Sequence, residues 1–138
     1  MVVMKFGGAS LKDGESLGQI AEIIRAQGFS RRVVVLSAAY GVTDALERAA
    51  DAALDSEVTI ETAIRGFREC HYGFAAALRN ARTVMEEIES RLAVLRRILA
   101  GIRGKGEITP KMRDHLLSMG ERMAVTLLAG RLSEAGVP

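Results

Sequence analysis

Aromatic side chains make up only 4% of the 138 residues and there is no Trp, so any core must be aliphatic, built from Leu, Ile, Val, Ala and Met. Cysteine is limited to Cys70, which excludes an internal disulfide and fits a reduced, cytoplasmic setting better than a secreted one. No uninterrupted apolar run approaches the length of a membrane span, and the opening Met1-Val-Val-Met-Lys5 is too short for the apolar part of a signal peptide. Strong charge of one sign is missing as well. The formal net charge is +2, with Lys and Arg scattered among acids, which argues against a nucleic-acid surface.

What is present is ordinary for one compact domain: 49% hydrophobic and 26% charged residues, with no internal repeat, low-complexity tract or linker. Val2 to Phe6 is a short β-prone run stopped by Gly7-Gly8. Leu17, Ile20, Ala21 and Ile24 then recur at helical spacing until Gly28, and Arg32 to Ser37 holds the apolar run Val33-Val-Val-Leu36, as expected of a strand covered on both faces of a parallel sheet. The unit reads as βαβ. After Gly41 no further convincing strand appears. Residues 43 to 54 are alanine-rich; Ile60, Ile64, Phe67, His71, Phe74 and Leu78 mark one helical stripe, and Ile88, Leu92, Leu95, Leu99 and Ile102 a second. Gly101, Gly104 and Gly106 are read as ending the second stripe. Its brevity, barely two heptads, favours packing within the domain or against a close partner helix over a coiled-coil seam. Thr109-Pro110 supplies an N-cap and a first-turn proline for a last helix that runs to about Ala135 and ends at Gly136, with Pro138 just beyond. The expected class is therefore α/β, a short parallel sheet followed by a mainly helical segment.

Two polar stretches carry the chemistry. Lys5-Phe-Gly-Gly-Ala-Ser10 lies where the first strand meets the first helix. Paired glycines let the backbone approach a ligand, amides at a helix N-terminus favour a phosphate, and Lys5 adds a mobile positive charge. The stretch matches neither GxxxxGK nor GxGxxG, and a plain tight turn is the alternative reading. Ser37-Ala-Ala-Tyr-Gly-Val-Thr-Asp44 follows the second strand. Two parallel strands deliver both loops to one sheet edge, where ligands of open α/β sheets bind. Ser10, Ser37 and Thr43 are small hydroxyl residues suited to a carboxylate or phosphate; the alternative is that Thr43 and Asp44 only cap the next helix.

These stretches, with a third at Leu117-Ser-Met-Gly-Glu-Arg-Met123, resemble the aspartate kinases. The first is similar to that family's KFGGTS opening. The second resembles its strand, Ser-Ala, then Gly-(Val/Ile)-Thr-(Asn/Asp) block, and the third resembles its Gly-Glu-Arg segment. The resemblance covers the whole chain and implies the amino-terminal, substrate-side part of an amino-acid kinase domain over residues 1–138, without the nucleotide-binding half and regulatory domains that the family carries. It implies transfer of the γ-phosphoryl of ATP to the β-carboxylate of L-aspartate, in the biosynthesis of lysine, threonine and related amino acids. Magnesium would be held mainly through the ATP phosphates rather than by protein ligands. Carried over residue by residue, Lys5 would stabilise the transferring phosphoryl as the catalytic residue. Gly7, Gly8 and Ser10 would face the phosphate, Ser37 and Thr43 would help hold aspartate, and Glu121 would contact its ammonium side. The usual fate of a helical Glu, pairing with Arg122 or Lys111, is the competing reading for Glu121. Ala9 departs from the family, which has Thr there.

His71, on an apolar stripe with Phe67 and Phe74, reads as a hydrogen-bonded core residue rather than a base, and with His115 distant in sequence no metal-ligand pattern forms. A functional class of a different kind stays open beside the kinase reading: a non-catalytic module of the same fold that binds a partner chain. A two-stranded sheet with open edges is expected to associate, with a second copy or with the rest of a kinase.

Overall fold

The computed structural model describes residues 1–28 and 31–137. Strand β1 (Val2–Phe6) leads through a 3-10 turn at Gly8–Ser10 into helix α1 (Gly14–Ala26), strand β2 (Arg32–Leu36) and four helices, α2 (Val42–Ala53), α3 (Glu57–Ala75), α4 (Ala81–Lys105) and α5 (Pro110–Glu134). The strands pair in parallel, with Val3 opposite Val33 and Lys5 opposite Val35. Among the described residues no strand follows Leu36, so the expected short parallel sheet with a helical remainder is what forms.

Each helix begins where the local chemistry favours it. At α1 the Asp13 carboxylate accepts from the Ser16 amide at 2.8 Å while Ser16 Oγ accepts from the Asp13 amide at 3.0 Å, a reciprocal capping box that also holds the Asp13 carboxyl below its ordinary range. Ser56 caps α3 through the Thr59 amide at 3.2 Å, and Thr109 caps α5 through the Met112 amide at 3.2 Å, with Pro110 at the first position. The start of α4 is closed from outside: Glu134 near the end of α5 accepts from the Asn80 amide at 2.7 Å, and Asn80 Nδ2 donates to the Gly130 carbonyl at 3.2 Å. Helix α5 ends in a Schellman turn, with Gly136 at φ 69° and the Val137 amide donating to the Leu132 carbonyl. Pro138, expected just beyond this end, lies outside the described residues.

Helix α1 runs to Ala26 with Gln27 as its C-cap, so Gly28 follows its end as expected. Two sequence expectations need correction. Helix α4 runs through Gly101 and Gly104 and ends only at Gly106, which alone of the three adopts positive φ, at 73°. An interior glycine costs a helix about 1 kcal/mol relative to alanine; burial of Leu95, Leu99 and Ile102 on that stretch outweighs it. The second concerns β2, which is covered on one face only. Val33 and Val35 remain 46% and 45% exposed, beside Val3 at 62%, whereas Leu36 and the partly buried Met4, Phe6 and Val34 face the core.

The helices make one continuous core. Helix α4 packs on α3 and α5, and α5 also packs on α1 and α2. Ile88, Leu92, Leu95, Leu99 and Ile102 are at most 1% exposed within the single chain, so the second stripe is spent on packing inside the domain. Leu78 is buried too, although it lies beyond the end of α3. No helix among the described residues is long and apolar enough to cross a membrane.

His71 sits wholly buried in α3, its Nδ1–H donating to the Phe67 carbonyl at 2.7 Å and its Nε2 without a partner. Burial pushes its pKa down from the ordinary histidine value, because charging the ring there would sacrifice solvation with no acceptor to replace it. The unfolded chain therefore binds this proton more readily than the folded one. Stability is full above the unfolded value of about 6.5 and falls as pH drops below it, until the folded value is reached. The urea midpoint is expected to fall between pH 7.5 and pH 5.5, and His71→Leu should flatten that slope whatever it does to the baseline. An unchanged slope in the variant would assign the pH dependence to other groups.

Candidate functional site

The site begins at the carboxyl ends of the two strands. Lys5, the penultimate residue of β1, is exposed and makes no ion pair among the described residues. Its Nζ lies 3.9 Å from the point where a side chain on Gly7 would begin, so the ammonium rests over the glycine turn. Gly7 is extended, at φ −81° and ψ 167°, a conformation any residue adopts; its absent side chain leaves room beside the lysine. Gly8 is constrained differently. A Cβ there would stand 2.9 Å from the Ala38 carbonyl oxygen, backbone that cannot swing away. Gly8 is thus the contact that lets the first loop lie against the second. The Ser37 amide donates to the Phe6 carbonyl at 3.1 Å, the Tyr40 amide to the Leu11 carbonyl at 2.8 Å, and Lys12 Nζ stands 5.9 Å over the Tyr40 ring. Two stretches far apart in sequence are joined into one edge.

Donors at this edge are open. The amides of Gly8 and Ala9 at the head of the 3-10 turn donate to no backbone carbonyl among the described residues, while those of Ser10 and Leu11 close the turn onto Gly7 and Gly8. The phosphate-facing amides were expected at the N-terminus of the first helix. That terminus begins only at Gly14 and is closed by the Asp13 capping box, so the open amides belong to the 3-10 turn instead. At the second loop, Gly41 takes φ 77° and serves as N-cap of α2 without a side-chain bond. Neither Thr43 nor Asp44 caps the helix. The hydroxyls of Ser10, Ser37 and Thr43 make no hydrogen bond among the described residues, whereas Ser56, Thr59 and Thr109 spend theirs on the backbone.

Glu121 reaches this edge through its neighbour. A Cβ on Gly120 would meet Ala38 Cβ at 2.8 Å, Leu46 Cδ1 at 3.1 Å and Val42 Cγ1 at 3.2 Å, so α5 presses its glycine directly onto the second loop and the start of α2. Glu121 follows, exposed and in no ion pair among the described residues; the pairing with Arg122 or Lys111 does not form. The structure thus sets Lys5 at the end of β1, Gly7, Gly8, Ser10 and Ser37 on the two adjoining loops, Thr43 in the first turn of α2, and Glu121 on the helix that touches the second loop. Sequence reasoning missed Tyr40, 68% exposed on the lip between the loops, and Gly120, whose close approach has no signature until the helix is docked. His71 and Cys70 lie apart on α3, where burial raises the Cys70 thiol pKa and so disfavours the reactive thiolate. No group of three or more His, Cys, Asp or Glu side chains among the described residues is placed to hold a metal ion.

Comparison with known proteins agrees with this geometry. The model of the amino acid kinase family matches residues 1–138. Aspartokinase 2, chloroplastic, of Arabidopsis thaliana is 35% identical over 137 residues, 97% of this chain and 25% of its own length. The lysine-sensitive aspartokinase 3 of Escherichia coli is 32% identical over 142 residues, 99% of this chain and 29% of its own length. The crystal structure of E. coli aspartokinase III in complex with aspartate and ADP superposes with a TM-score of 0.86 at 28% identity, covering 99% of this chain and 29% of that one. The chain spans about a quarter of the length of the curated relatives it matches.

Proposed function

The chain belongs to the amino acid kinase family, and on that footing we propose that it is the acceptor-side part of an aspartate kinase acting in cytoplasmic amino-acid biosynthesis. The reaction is transfer of the γ-phosphoryl of ATP to the β-carboxylate of L-aspartate. A carboxylate oxygen bonds to the γ-phosphorus, the bond from that phosphorus to the bridging oxygen breaks, and 4-phospho-L-aspartate and ADP result. The observation that carries the reading is Lys5 resting over Gly7 beside two open amides and three unbonded hydroxyls, on an edge that a tight Gly8 contact holds together.

Phosphoryl transfer asks a protein to align two anions and to neutralise charge as it develops. Lys5 and the amides of Gly8 and Ala9 would take the phosphoryl oxygens, with Ser10 alongside. Ser37 and Thr43 donate to the acceptor's carboxylates, and Glu121 supplies the negative charge that an α-ammonium group needs. Among the described residues the carboxylates form no cage for magnesium, and in this reading the metal's charge would arrive with the nucleotide phosphates. Positive charge contributed by the chain itself comes from Lys5. That E. coli aspartokinase III has been crystallised with aspartate and ADP supports both the acceptor and the nucleotide.

In an enzyme containing this segment, L-aspartate should stimulate ADP release and yield an acyl phosphate that hydroxylamine traps as the hydroxamate. Glu121→Gln, which keeps the shape and removes the charge, is expected to raise the KM for aspartate by about 10- to 100-fold, the worth of one charged hydrogen bond, with a smaller effect on kcat. A near-normal KM removes Glu121 from the acceptor site. Absence of hydroxamate from the unsubstituted enzyme removes the reaction itself.

A further inference from the structure

On the amino-terminal part of α5, about 8 to 14 Å along the helix from Gly120 at 1.5 Å per residue, lies a groove that the transfer chemistry does not use. It has a volume of about 330 Å³ and is lined by Arg97, Ile98 and Gly101 of α4 and by Thr109, Lys111, Met112 and His115 at the start of α5. Lys111 and His115 are four residues apart on one face of α5, and Arg97 approaches from α4. Among the described residues none of the three forms an ion pair, although basic residues nearby do: Arg113 with Glu47, Lys105 with Glu107, and Arg96 with Glu61. No carboxylate is in the lining. Gly101 leaves backbone bare in the groove, where a Cβ would stand in ordinary contact with Met112 Cε, at 3.8 Å, and a longer side chain would occupy the space.

Two cations, Arg97 and Lys111, on one groove whose lining holds no carboxylate make a local positive field that favours an anion. Their geometry selects among anions. A guanidinium fork, an ammonium and an imidazole arriving from two helices suit a tetrahedral group with several oxygens better than a planar carboxylate, which one fork satisfies. Ile98, Met112 and the bare Gly101 backbone leave apolar floor for a short carbon body. We infer that this groove is a binding site for a small organic phosphate, separate from the transfer site. Arg97 and Lys111 carry its charge, and Gly101 leaves backbone bare in it.

The test is calorimetric titration of the purified chain at low ionic strength with glycerol 3-phosphate, alongside inorganic phosphate and succinate. Glycerol 3-phosphate should bind once per chain with a Kd of about 10⁻⁴ to 10⁻³ M. Inorganic phosphate should bind more weakly, and succinate more weakly still. Arg97→Gln and Lys111→Gln should each cost about tenfold, the loss of one charge-assisted bond. Gly101→Leu should abolish binding while leaving the circular dichroism spectrum of the helices intact, since it replaces a poor helix former. Arg82→Gln, at the other end of α4, should change nothing, and neither should Lys5→Ala, so this site and the transfer site can fail separately. The inference is overturned by any of three results: no saturable binding, equal weakening by Arg82→Gln, or succinate matching the phosphate ester. Loss of binding in Lys5→Ala would also overturn it, by assigning the phosphate to the first loop.

Discussion

Replacing Lys5 by alanine in a kinase containing this segment is expected to lower kcat by about 10²- to 10³-fold, with little change in the KM for aspartate. The magnitude is that of deleting one preorganised donor aimed at developing charge, about 3–4 kcal/mol. The reason for expecting the full effect is local. Lys5 has no carboxylate partner among the described residues, and its Nζ is already parked over the Gly7 turn, so in the proposed role its charge would reach the phosphoryl group without a rearrangement. The neighbouring Gly8 and Ala9 amides would be fixed dipoles toward the same oxygens that bring no net charge, so they would not replace it. Lys12 supplies the internal control: its ammonium is engaged over the Tyr40 ring, and Lys12→Ala should alter turnover only a fewfold. A Lys5→Ala enzyme that keeps kcat within a few fold, or one whose loss falls wholly on KM, would take Lys5 out of the chemical step. Lys5→Arg distinguishes charge from shape, because it keeps the former and crowds the glycine turn.

How much of this was legible beforehand depended on whether a residue's role is set by its neighbours in sequence or in space. Val2–Phe6 and Arg32–Leu36 could be read because each is a short apolar run closed by polar or glycine residues. The stripe from Ile88 to Ile102 could be read because its spacing alone puts five side chains on one face. The Thr109-Pro110 start of α5 is local chemistry and was legible for the same reason. Gly101 and Gly104 were misread as terminators because propensity is a small local term and the burial that overrides it comes from α3 and α5. Gly41, not Thr43, caps α2, since a left-handed glycine does the work for which a side chain was expected, and this leaves the Thr43 hydroxyl free. Gly8 and Gly120 were visible as motif letters, but their shared reason was not. Each has its missing Cβ facing the same loop, Gly8 against the Ala38 carbonyl and Gly120 against the Ala38 side chain, and that juxtaposition exists only after the chain has folded.

The 138 residues on their own are expected to show no aspartate-dependent ADP formation. In-line transfer needs donor and acceptor held together, yet the described residues offer one turn proposed to face the phosphate and a two-stranded sheet. The sheet itself shows what is wanting. Val3 lies beside Val33 and Lys5 beside Val35, a block of four outward side chains in which three valines stay 45–62% exposed. Parallel sheets are covered on both faces, and open strand edges recruit further strands. Lys5 stands at the carboxyl end of that same bare face, so whatever covers the valines also closes the surroundings of the proposed catalytic lysine. Water competes with any phosphate there until it is covered. The chain should therefore associate, with itself when alone and with the remainder of an aspartokinase when that is supplied. The decisive measurement is ADP formation by the purified chain, alone and mixed with a separately expressed remainder of an aspartokinase, with light scattering to follow assembly. Activity only in the mixture, lost with Val33→Asp, is the expected result; turnover at the rate of an ordinary kinase from the chain alone would defeat it.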